Sequence, residues 1–162
     1  MNFILEPLLF ALPFYIANAV PIYVKRLPFL NVPIDNDTTI WGKPVLGSHK
    51  TVRGFVLGLI AGTLVGYLTL QNLEYGFIIS FSSLLGDLFG AFLKRRSSIK
   101  PGQKSILHDR VFDVLFPVIA AYIFNFLELS LLQIIFLLII SFYINNIANM
   151  IYFFLKIKDK PW

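Results

Sequence analysis

Five long apolar runs dominate this sequence and decide what the chain can fold into. A helix needs about 20 apolar residues to cross a hydrocarbon core of about 30 Å, and most of the runs are long enough for that. The second run is short and the fifth is long, which indicates tilt or partial embedding. The sequence therefore predicts an all-α integral membrane protein, a bundle of five transmembrane helices. The predicted spans are 3–24, 54–70, 75–93, 111–127 and 130–155.

The composition excludes several other classes of protein. Apolar residues make up 57% of the chain and charged residues 14%, which fits neither a soluble globular domain nor a disordered chain. With no cysteine there is no disulfide, thiol nucleophile or thiolate metal site. The start, Met1-Asn2-Phe3, lacks the basic segment of a signal peptide, so we expect the first span to be retained. One domain over 1–162 is predicted.

The basic residues predict the orientation of the bundle. All 14 Lys and Arg fall in 25–53, 94–110 and 156–160, segments that five alternating spans place on the same side. The positive-inside rule makes that side cytoplasmic, with the N-terminus outside and the C-terminus inside. We therefore expect a multi-pass plasma-membrane protein whose two cytoplasmic loops, 25–53 and 94–110, form the active site. Because the basic residues lie at the ends of the predicted spans, we do not expect the net charge of +5 to bind nucleic acid.

An acidic residue lies within the third predicted span. Placing the Asp87 carboxylate in the membrane costs about 3 kcal/mol or more of free energy unless it faces protein, water or a cation. Lys94, Arg95 and Arg96 follow about two turns later, and Gly86 leaves room for another backbone. One interpretation is a structural carboxylate paired to a neighbouring arginine. The three cations at the membrane edge favour a functional carboxylate instead.

Two further carboxylates begin the fourth span. Asp109 and Asp113 are four residues apart, share one helical face and repel each other unless a cation lies between them. Mg²⁺ takes oxygen ligands and usually keeps substrate phosphates in its shell. With Asp87, these residues predict a Mg²⁺ site for metal-assisted phosphoryl or nucleotidyl transfer. The alternative is a pair of ordinary acids at a helix N-terminus, favoured by the helix dipole.

The first cytoplasmic loop contains a Gly-, Ser- and Lys-containing segment over 42–54. Its backbone amides, with Lys50, Thr51 and Arg53, are typical of a phosphate cradle at the start of a helix, although the P-loop order is absent. The alternative is a solvated basic loop that touches anionic lipid headgroups. His49 and His108 are lone histidines, which are more often solvated or structural than proton carriers.

Glycines and amides within the spans predict packing contacts. Glycines recur every fourth residue from Gly54 to Gly66, which favours close helix packing and says nothing about substrate. Near the inner ends of spans one and five, polar groups are compatible with lining a pocket or with bonding helix to helix. These are Asn18, Pro21, Asn145, Asn146 and Asn149.

Four segments, taken in order, resemble the CDP-archaeol synthases and their relatives within the wider phosphatidate cytidylyltransferase group. The resemblance covers nearly the whole chain, and the second segment matches the family's Lys-Thr-x-Arg-Gly core. The segments are LPFYIANAVP at 12–21, GSHKTVRG at 47–54, GD at 86–87 followed by FLKRRSSIKPG at 92–102, and NMIY at 149–152 with the ending Pro161-Trp162.

The resemblance implies a Mg²⁺-dependent membrane nucleotidyltransferase. It would join CTP to 2,3-di-O-geranylgeranylglyceryl phosphate, giving CDP-archaeol and pyrophosphate among the membrane lipids. Its implied site has Asp87, Asp109, Lys94 and Arg95 as catalytic residues, and Asp87, Asp109 and Asp113 as metal ligands. The implied phosphate-binding residues are Lys50, Thr51, Arg53, Arg96 and Lys100, and the implied pocket-lining residues are Asn18, Pro21, Gly86, Gly102 and Asn149.

Two positions depart from the family pattern. The family usually has two Asp three residues apart at the start of span four, whereas here Phe112 stands at the second position and Asp113 follows it. Ser48 stands where the family often has Asp.

Several other functions remain open at this point. They are a diacyl phosphatidate cytidylyltransferase, a non-catalytic lipid-binding protein, and a transporter, which the lack of an inverted repeat disfavours. A CDP-alcohol phosphotransferase is disfavoured because its Asp-Gly-x2-Ala-Arg signature is missing. A homo-oligomer is compatible with the glycine stripe.

Overall fold

The computed structural model describes residues 3–99 and 105–157, and for residues 106–110 it describes the backbone alone. Over these residues the chain forms five α-helices. A single 3₁₀ turn, Val24–Arg26, extends the first helix. The helices are α1 (Leu5–Tyr23), α2 (Val52–Leu70), α3 (Leu73–Arg96), α4 (Ile106–Ile123) and α5 (Leu131–Phe154). Each predicted apolar run has become one helix, and the helical membrane class is confirmed.

The loop between α1 and α2 contains a small hairpin that the sequence analysis does not predict. Strands β1 (Thr39–Ile40) and β2 (Lys43–Pro44) pair antiparallel, with Thr39 opposite Pro44 and Ile40 opposite Lys43. The loop is therefore folded over its middle part and is more than a solvated connection.

Four helices in the described part of the chain are long and apolar enough to cross a membrane. They are Leu5–Arg26 (α1 with its 3₁₀ turn), α2, α3 and α5. Helix α4 has 18 residues, and the part whose side chains are described, Val111–Ile123, is a shorter apolar helix. This helix ends earlier than the predicted 127 because Asn125 adopts a left-handed conformation (φ 54°) and the Phe126 N–H closes back onto the Ala121 carbonyl. The fifth crossing stays a prediction.

Side-chain caps fix where three helices begin. Thr51 Oγ1 accepts the Gly54 N–H at the start of α2, and Asn72 Oδ1 accepts the Tyr75 N–H at the start of α3. Ser130 and Gln133 form a reciprocal capping box at the start of α5. These caps satisfy amides that helix starts leave unpaired. The Asn72 cap starts α3 only two residues after α2 ends at Leu70, so the two helices are joined by a tight turn.

The glycine stripe of α2 is a packing surface, as predicted. A Cβ at Gly58 would collide with the Ala17 carbonyl of α1, and one at Gly66 would collide with the Gly76 backbone of α3. Helix α2 therefore lies in backbone contact with both neighbours.

The apolar core lies toward the end of the bundle where α1, α3 and α5 carry aromatic and aliphatic side chains. Phe10, Phe14, Tyr75, Ile79 and Leu137 are buried there. The opposite end carries the α1–α2 loop and the basic end of α3. Polar side chains are concentrated at that second end.

Candidate active site

The Asp87 carboxylate of the apolar helix α3 forms an ion pair with the α1–α2 loop. Lys50 Nζ lies 2.5 Å from Asp87 Oδ2, and the two side chains are 28% and 36% exposed. Asp87 therefore has a cationic partner, but that partner is a lysine from a distant loop and not the neighbouring arginine that the structural alternative invoked. Both groups keep a solvent-facing part that a ligand can reach.

Helices α3 and α4 meet beside this ion pair. A Cβ at Gly86 would collide with the Phe112 carbonyl, and it would lie 3.1 Å from the Asp113 backbone nitrogen. Ser83 Oγ donates to the Asp113 carbonyl oxygen at 2.8 Å. The backbone of Asp113 is thus held next to Gly86, one residue from Asp87. Gly86 allows the close approach that brings these two carboxylate-bearing positions together.

The predicted metal cluster is described only in part. Asp109 lies one turn before Asp113 on α4, and its side chain is outside the described side chains. Among the side chains that are described, no three His, Cys, Asp or Glu residues are grouped so as to hold a metal. Asp87 and Asp113 are oxygen donors of the type that Mg²⁺ prefers, on helices in backbone contact. The ammonium of Lys50 shows that the Asp87 carboxylate accepts a cation at this position.

Several cations surround His49, next to the ion pair. Partial burial lowers the pKa of His49, and the charges of Lys25, Arg95 and Lys50 lower it further. A histidine whose protonation is opposed by three cations marks a region of positive potential. Such a region attracts phosphate groups.

Arg53 is only 1% exposed and bonds to the segment that leaves α1. Its Nη1 donates to the Leu27 and Phe29 carbonyls, and its Nη2 donates to the Lys25 carbonyl and to Asn31 Oδ1, both at 2.9 Å. The guanidinium therefore fixes the path of residues 25–31 across the start of α2. Lys50 and Thr51 lie immediately before this anchor.

Arg95 and Arg96 attach the α1–α2 loop to the end of α3. Arg95 is buried and donates to the Leu46 carbonyl at 3.2 Å and to the Ile99 carbonyl at 2.5 Å. Arg96 donates to the carbonyls of Ile40, Lys43 and Pro44. Lys94, the first residue of the basic triplet, is partly buried. Arg95 and Arg96 therefore attach the α1–α2 loop to α3 from two sides of the helix.

Asp35, which was not among the predicted site residues, organises the loop that carries Lys50. Its carboxylate accepts the backbone N–H groups of Leu46 at 2.8 Å, Gly47 at 3.2 Å and Asp37 at 3.3 Å. Burial acts to raise the pKa of Asp35, but these hydrogen bonds outweigh it and the pKa lies below its usual value. The Asp-Asn-Asp sequence at 35–37 is typical of such turns and was the available signal.

Two of the predicted pocket residues, Asn18 and Pro21, lie in contacts between helices. Asn18 Nδ2 donates to Ser83 Oγ at 2.8 Å, and Ser83 Oγ in turn donates to the Asp113 carbonyl. Asn18 therefore bonds α1 to α3. Asn18 Oδ1 is buried without a hydrogen-bond partner in the described part of the chain. Pro21 packs against Gly54, and Asn149 is buried. Lys100 and Gly102 lie outside the described residues.

Comparisons with known proteins identify what this chain is similar to. A family model described as CarS-like, CDP-archaeol synthase, matches residues 1–162. The CDP-archaeol synthase of Pyrobaculum islandicum is 35% identical over 158 residues, covering 93% of this chain and 93% of that protein. The CDP-archaeol synthase of Thermococcus kodakarensis is 36% identical over 166 residues, covering 94% and 93%.

A solved structure has the same fold. It is the subject of work on an intramembrane enzyme for archaeal membrane lipid biosynthesis, and it matches with a TM-score of 0.81 and 26% identity. The match covers 91% of this chain and 94% of that one. The sequence similarity and the fold similarity therefore extend over nearly the same length.

Proposed function

This chain belongs to the CDP-archaeol synthase family, and from that premise we propose that it transfers the cytidylyl group of CTP to an isoprenoid diether glyceryl phosphate. The products are CDP-archaeol and pyrophosphate. The family and the class of enzyme, a CTP-dependent transferase of membrane lipid biosynthesis, confirm the main prediction from the sequence. The comparisons give no support to the diacyl, transporter or non-catalytic alternatives.

The Lys50–Asp87 ion pair beside the α3–α4 contact is the observation that supports this location for the site. Asp87 and Asp113 would hold Mg²⁺, with Asp109 as the third proposed ligand. When bound, Mg²⁺ would neutralise charge on the CTP phosphates. The Asp87 carboxylate already pairs with the Lys50 ammonium. If a metal ion replaced the ammonium, the negative charge of Asp87 would be neutralised both before and after the metal binds.

In our proposal Lys50 and Lys94 contact phosphate, and the arginines hold the loop. Lys50 can turn from Asp87 toward a phosphate oxygen, since more than a quarter of its side chain is exposed. The terminal nitrogens of Arg53 and Arg96 donate to protein carbonyls, so these residues would act by positioning Lys50 and the hairpin. Arg95 would position the Leu46 end of the same loop and add positive potential. Thr51 would keep the start of α2 in place through its cap.

The proposed reaction needs no general base from the protein. A lipid phosphate oxygen attacks the α-phosphorus of CTP in line, the new P–O bond forms, and the bond to the β-phosphate breaks to release pyrophosphate. The attacking phosphate is already anionic at neutral pH. The lowered pKa of His49 favours its neutral imidazole, so in our proposal the positive charge of the site comes from lysine and arginine side chains.

The proposed site lies below the surface of the membrane. Asp87 is nine residues before Arg96, the end of α3, which corresponds to about 13 Å along a helix. The α1–α2 loop reaches this depth through Lys50. We infer that the lipid phosphate meets CTP in a recess at the basic end of the bundle. From the placement of the 14 basic residues, we assign this end to the cytoplasmic side of the plasma membrane.

The test uses purified protein in detergent with labelled CTP and Mg²⁺. The geranylgeranyl diether phosphate and a diacyl phosphatidate are offered in parallel, and the CDP-lipid is followed by chromatography. We expect product from the diether phosphate. Product from the diacyl lipid alone, or none from either with folded protein, would contradict the proposal.

A further inference from the structure

The turn of the β1–β2 hairpin exposes a tryptophan in an unfavourable backbone conformation. Trp41 and Gly42 form the two-residue turn with φ of 52° and 72°. Turns with two positive φ values favour Asn and Gly, and a bulky side chain there is an outlier. Trp41 is nevertheless 85% exposed. Most of the indole surface is therefore not used in packing within the chain.

Arg96 fixes this turn to the end of α3. It donates to the Ile40 carbonyl at 2.6 Å, and its guanidinium lies 5.7 Å from the Trp41 ring and 5.3 Å from the Phe92 ring. Lys43 Nζ donates to Ser98 Oγ at 2.7 Å on the other side of the hairpin. The indole thus lies beside the Arg96 guanidinium, and the hairpin that carries it is attached to the end of α3 at two points.

That place continues an exposed apolar stripe of α3. Phe77, Leu85 and Phe89 are exposed along one side of the helix, and Phe92 and Arg96 follow on the same side at intervals of three and four residues. A helix of 24 residues is about 36 Å long, which exceeds a hydrocarbon core of about 30 Å. Because the last turn of α3 carries Lys94, Arg95 and Arg96, we expect this end of the helix, with the hairpin, to extend to the level of the headgroups.

We propose that the β1–β2 hairpin lies in the headgroup layer of the bilayer, with the Trp41 indole inserted between lipids at the interface. Arg96 and Lys43 lie beside the anionic phosphates of the same lipids. Tryptophan and basic side chains are enriched at this level because the indole is amphipathic and the phosphates are negative. The hairpin then anchors the α1–α2 loop to the membrane surface. This inference does not rest on the proposed enzymatic activity.

The chain offers a direct optical test because it has two tryptophans, Trp41 and Trp162. A Trp162→Phe variant leaves Trp41 as the single reporter. The variant is reconstituted in vesicles of equal parts phosphatidylcholine and phosphatidylglycerol, with bromine on the acyl chains either close to the headgroup or near the chain end. Acrylamide in the water phase is the third quencher. The double variant Trp41→Phe, Trp162→Phe gives the background.

A matched variant provides the depth reference. Ile60 is exposed near the middle of α2, so Ile60→Trp in the background that lacks both native tryptophans reports the centre of the bilayer. We expect the shallow bromine to remove most of the Trp41 emission and the deep bromine to remove most of the emission from position 60. Acrylamide should quench Trp41 far less than it quenches free tryptophan.

Two outcomes would overturn the proposal. Acrylamide quenching as strong as that of free tryptophan, with no effect of brominated lipids, would place the hairpin in water. Protection from acrylamide together with no quenching by either brominated lipid would place Trp41 against protein, such as a second copy of the chain. Unchanged thermal unfolding of the Trp162→Phe variant confirms that the measurement reports the native fold.

Discussion

Lys50 of the α1–α2 loop and Asp87 of α3 form a 2.5 Å ion pair across 37 positions of sequence. This contact compensates a carboxylate on a helix that is long and apolar enough to cross a membrane, and it brings a flexible cation to the same place. We propose that this ion pair is the ligand-free form of the site. When the substrates bind, a divalent cation would bind the Asp87 carboxylate and a phosphate would bind the Lys50 ammonium.

The pair predicts opposite effects of Lys50→Met on two ligands. Without the competing ammonium, Mn²⁺ used in place of Mg²⁺ should bind the nucleotide-free protein about tenfold more tightly, because one charged hydrogen bond to Asp87 is removed. The KM for CTP should rise about tenfold, because a phosphate contact is lost. Mn²⁺ electron paramagnetic resonance and steady-state kinetics measure the two effects, with Lys156→Met as a control at an exposed position on the same predicted side. Unchanged values of both would exclude this role of Lys50.

Arg53 is predicted to stabilise the fold more than it binds substrate. Arg53→Met leaves the carbonyls of Lys25, Leu27 and Phe29 without their donor, and should lower the free energy of unfolding by about 3 kcal/mol. For a chain of this size that is about 6–12 °C in the thermal midpoint. Exposed Arg26→Met is the control, and thermal unfolding in detergent is the measurement. Normal stability with a raised KM for CTP would instead make Arg53 the phosphate ligand that the sequence pattern suggested.

Gly86 is predicted to set the spacing between the two carboxylate-bearing helices. Gly86→Ala places a Cβ against the Phe112 carbonyl, so α3 and α4 must separate, at a cost of about 1–3 kcal/mol. Activity should fall further than stability, because Asp113 moves relative to Asp87. Gly54→Ala is a milder control, since its Cβ meets the Pro21 side chain at 3.1 Å. Full activity of Gly86→Ala would show that the α3–α4 distance does not matter to the site.

Much of the fold could be predicted from the sequence because its signals are local. Apolar runs of membrane length gave the helices, and the four-residue glycine period gave the face of α2 that packs on its neighbours. The early end of α4 could not be predicted from hydropathy, because Phe124, Phe126 and Leu127 are as apolar as the helix. The backbone conformation of Asn125 ended it.

The site was harder to predict because its contacts join distant segments. The family resemblance implied phosphate binding for Arg53 and Arg96 and a catalytic role for Arg95. It did not predict that their guanidiniums donate to loop carbonyls, as the structure shows. A cation beside a membrane is compatible with lipid, substrate or backbone as its partner. Trp41 shows the same difficulty, since nothing in its neighbours in sequence predicts that Arg96, 55 residues later, lies over its ring.

The electrostatics of the loop predict a low pKa for His49. Partial burial and the charges of Lys25, Arg95 and Lys50 favour the neutral imidazole in the folded protein. As the pH falls below about 6.5, the unfolded chain binds a proton before the folded protein does, so this group makes folding less favourable at acidic pH. A His108→Gln variant leaves His49 as the single histidine, and its NMR titration gives the pKa directly. A value at or above 6.5 would show that the cations do not surround this side chain.

We propose that Asp87 holds the divalent cation used in cytidylyl transfer, and Asp87→Asn tests this role most directly. The amide keeps the size of the side chain and removes its charge, while Asp37→Asn makes the same change at an exposed position of the loop. Transfer from labelled CTP to the geranylgeranyl diether phosphate is measured in membranes that contain equal amounts of each inserted protein. The account predicts a loss of at least about 100-fold in kcat for Asp87→Asn and near-normal activity for Asp37→Asn. Near-normal activity of Asp87→Asn would contradict the account.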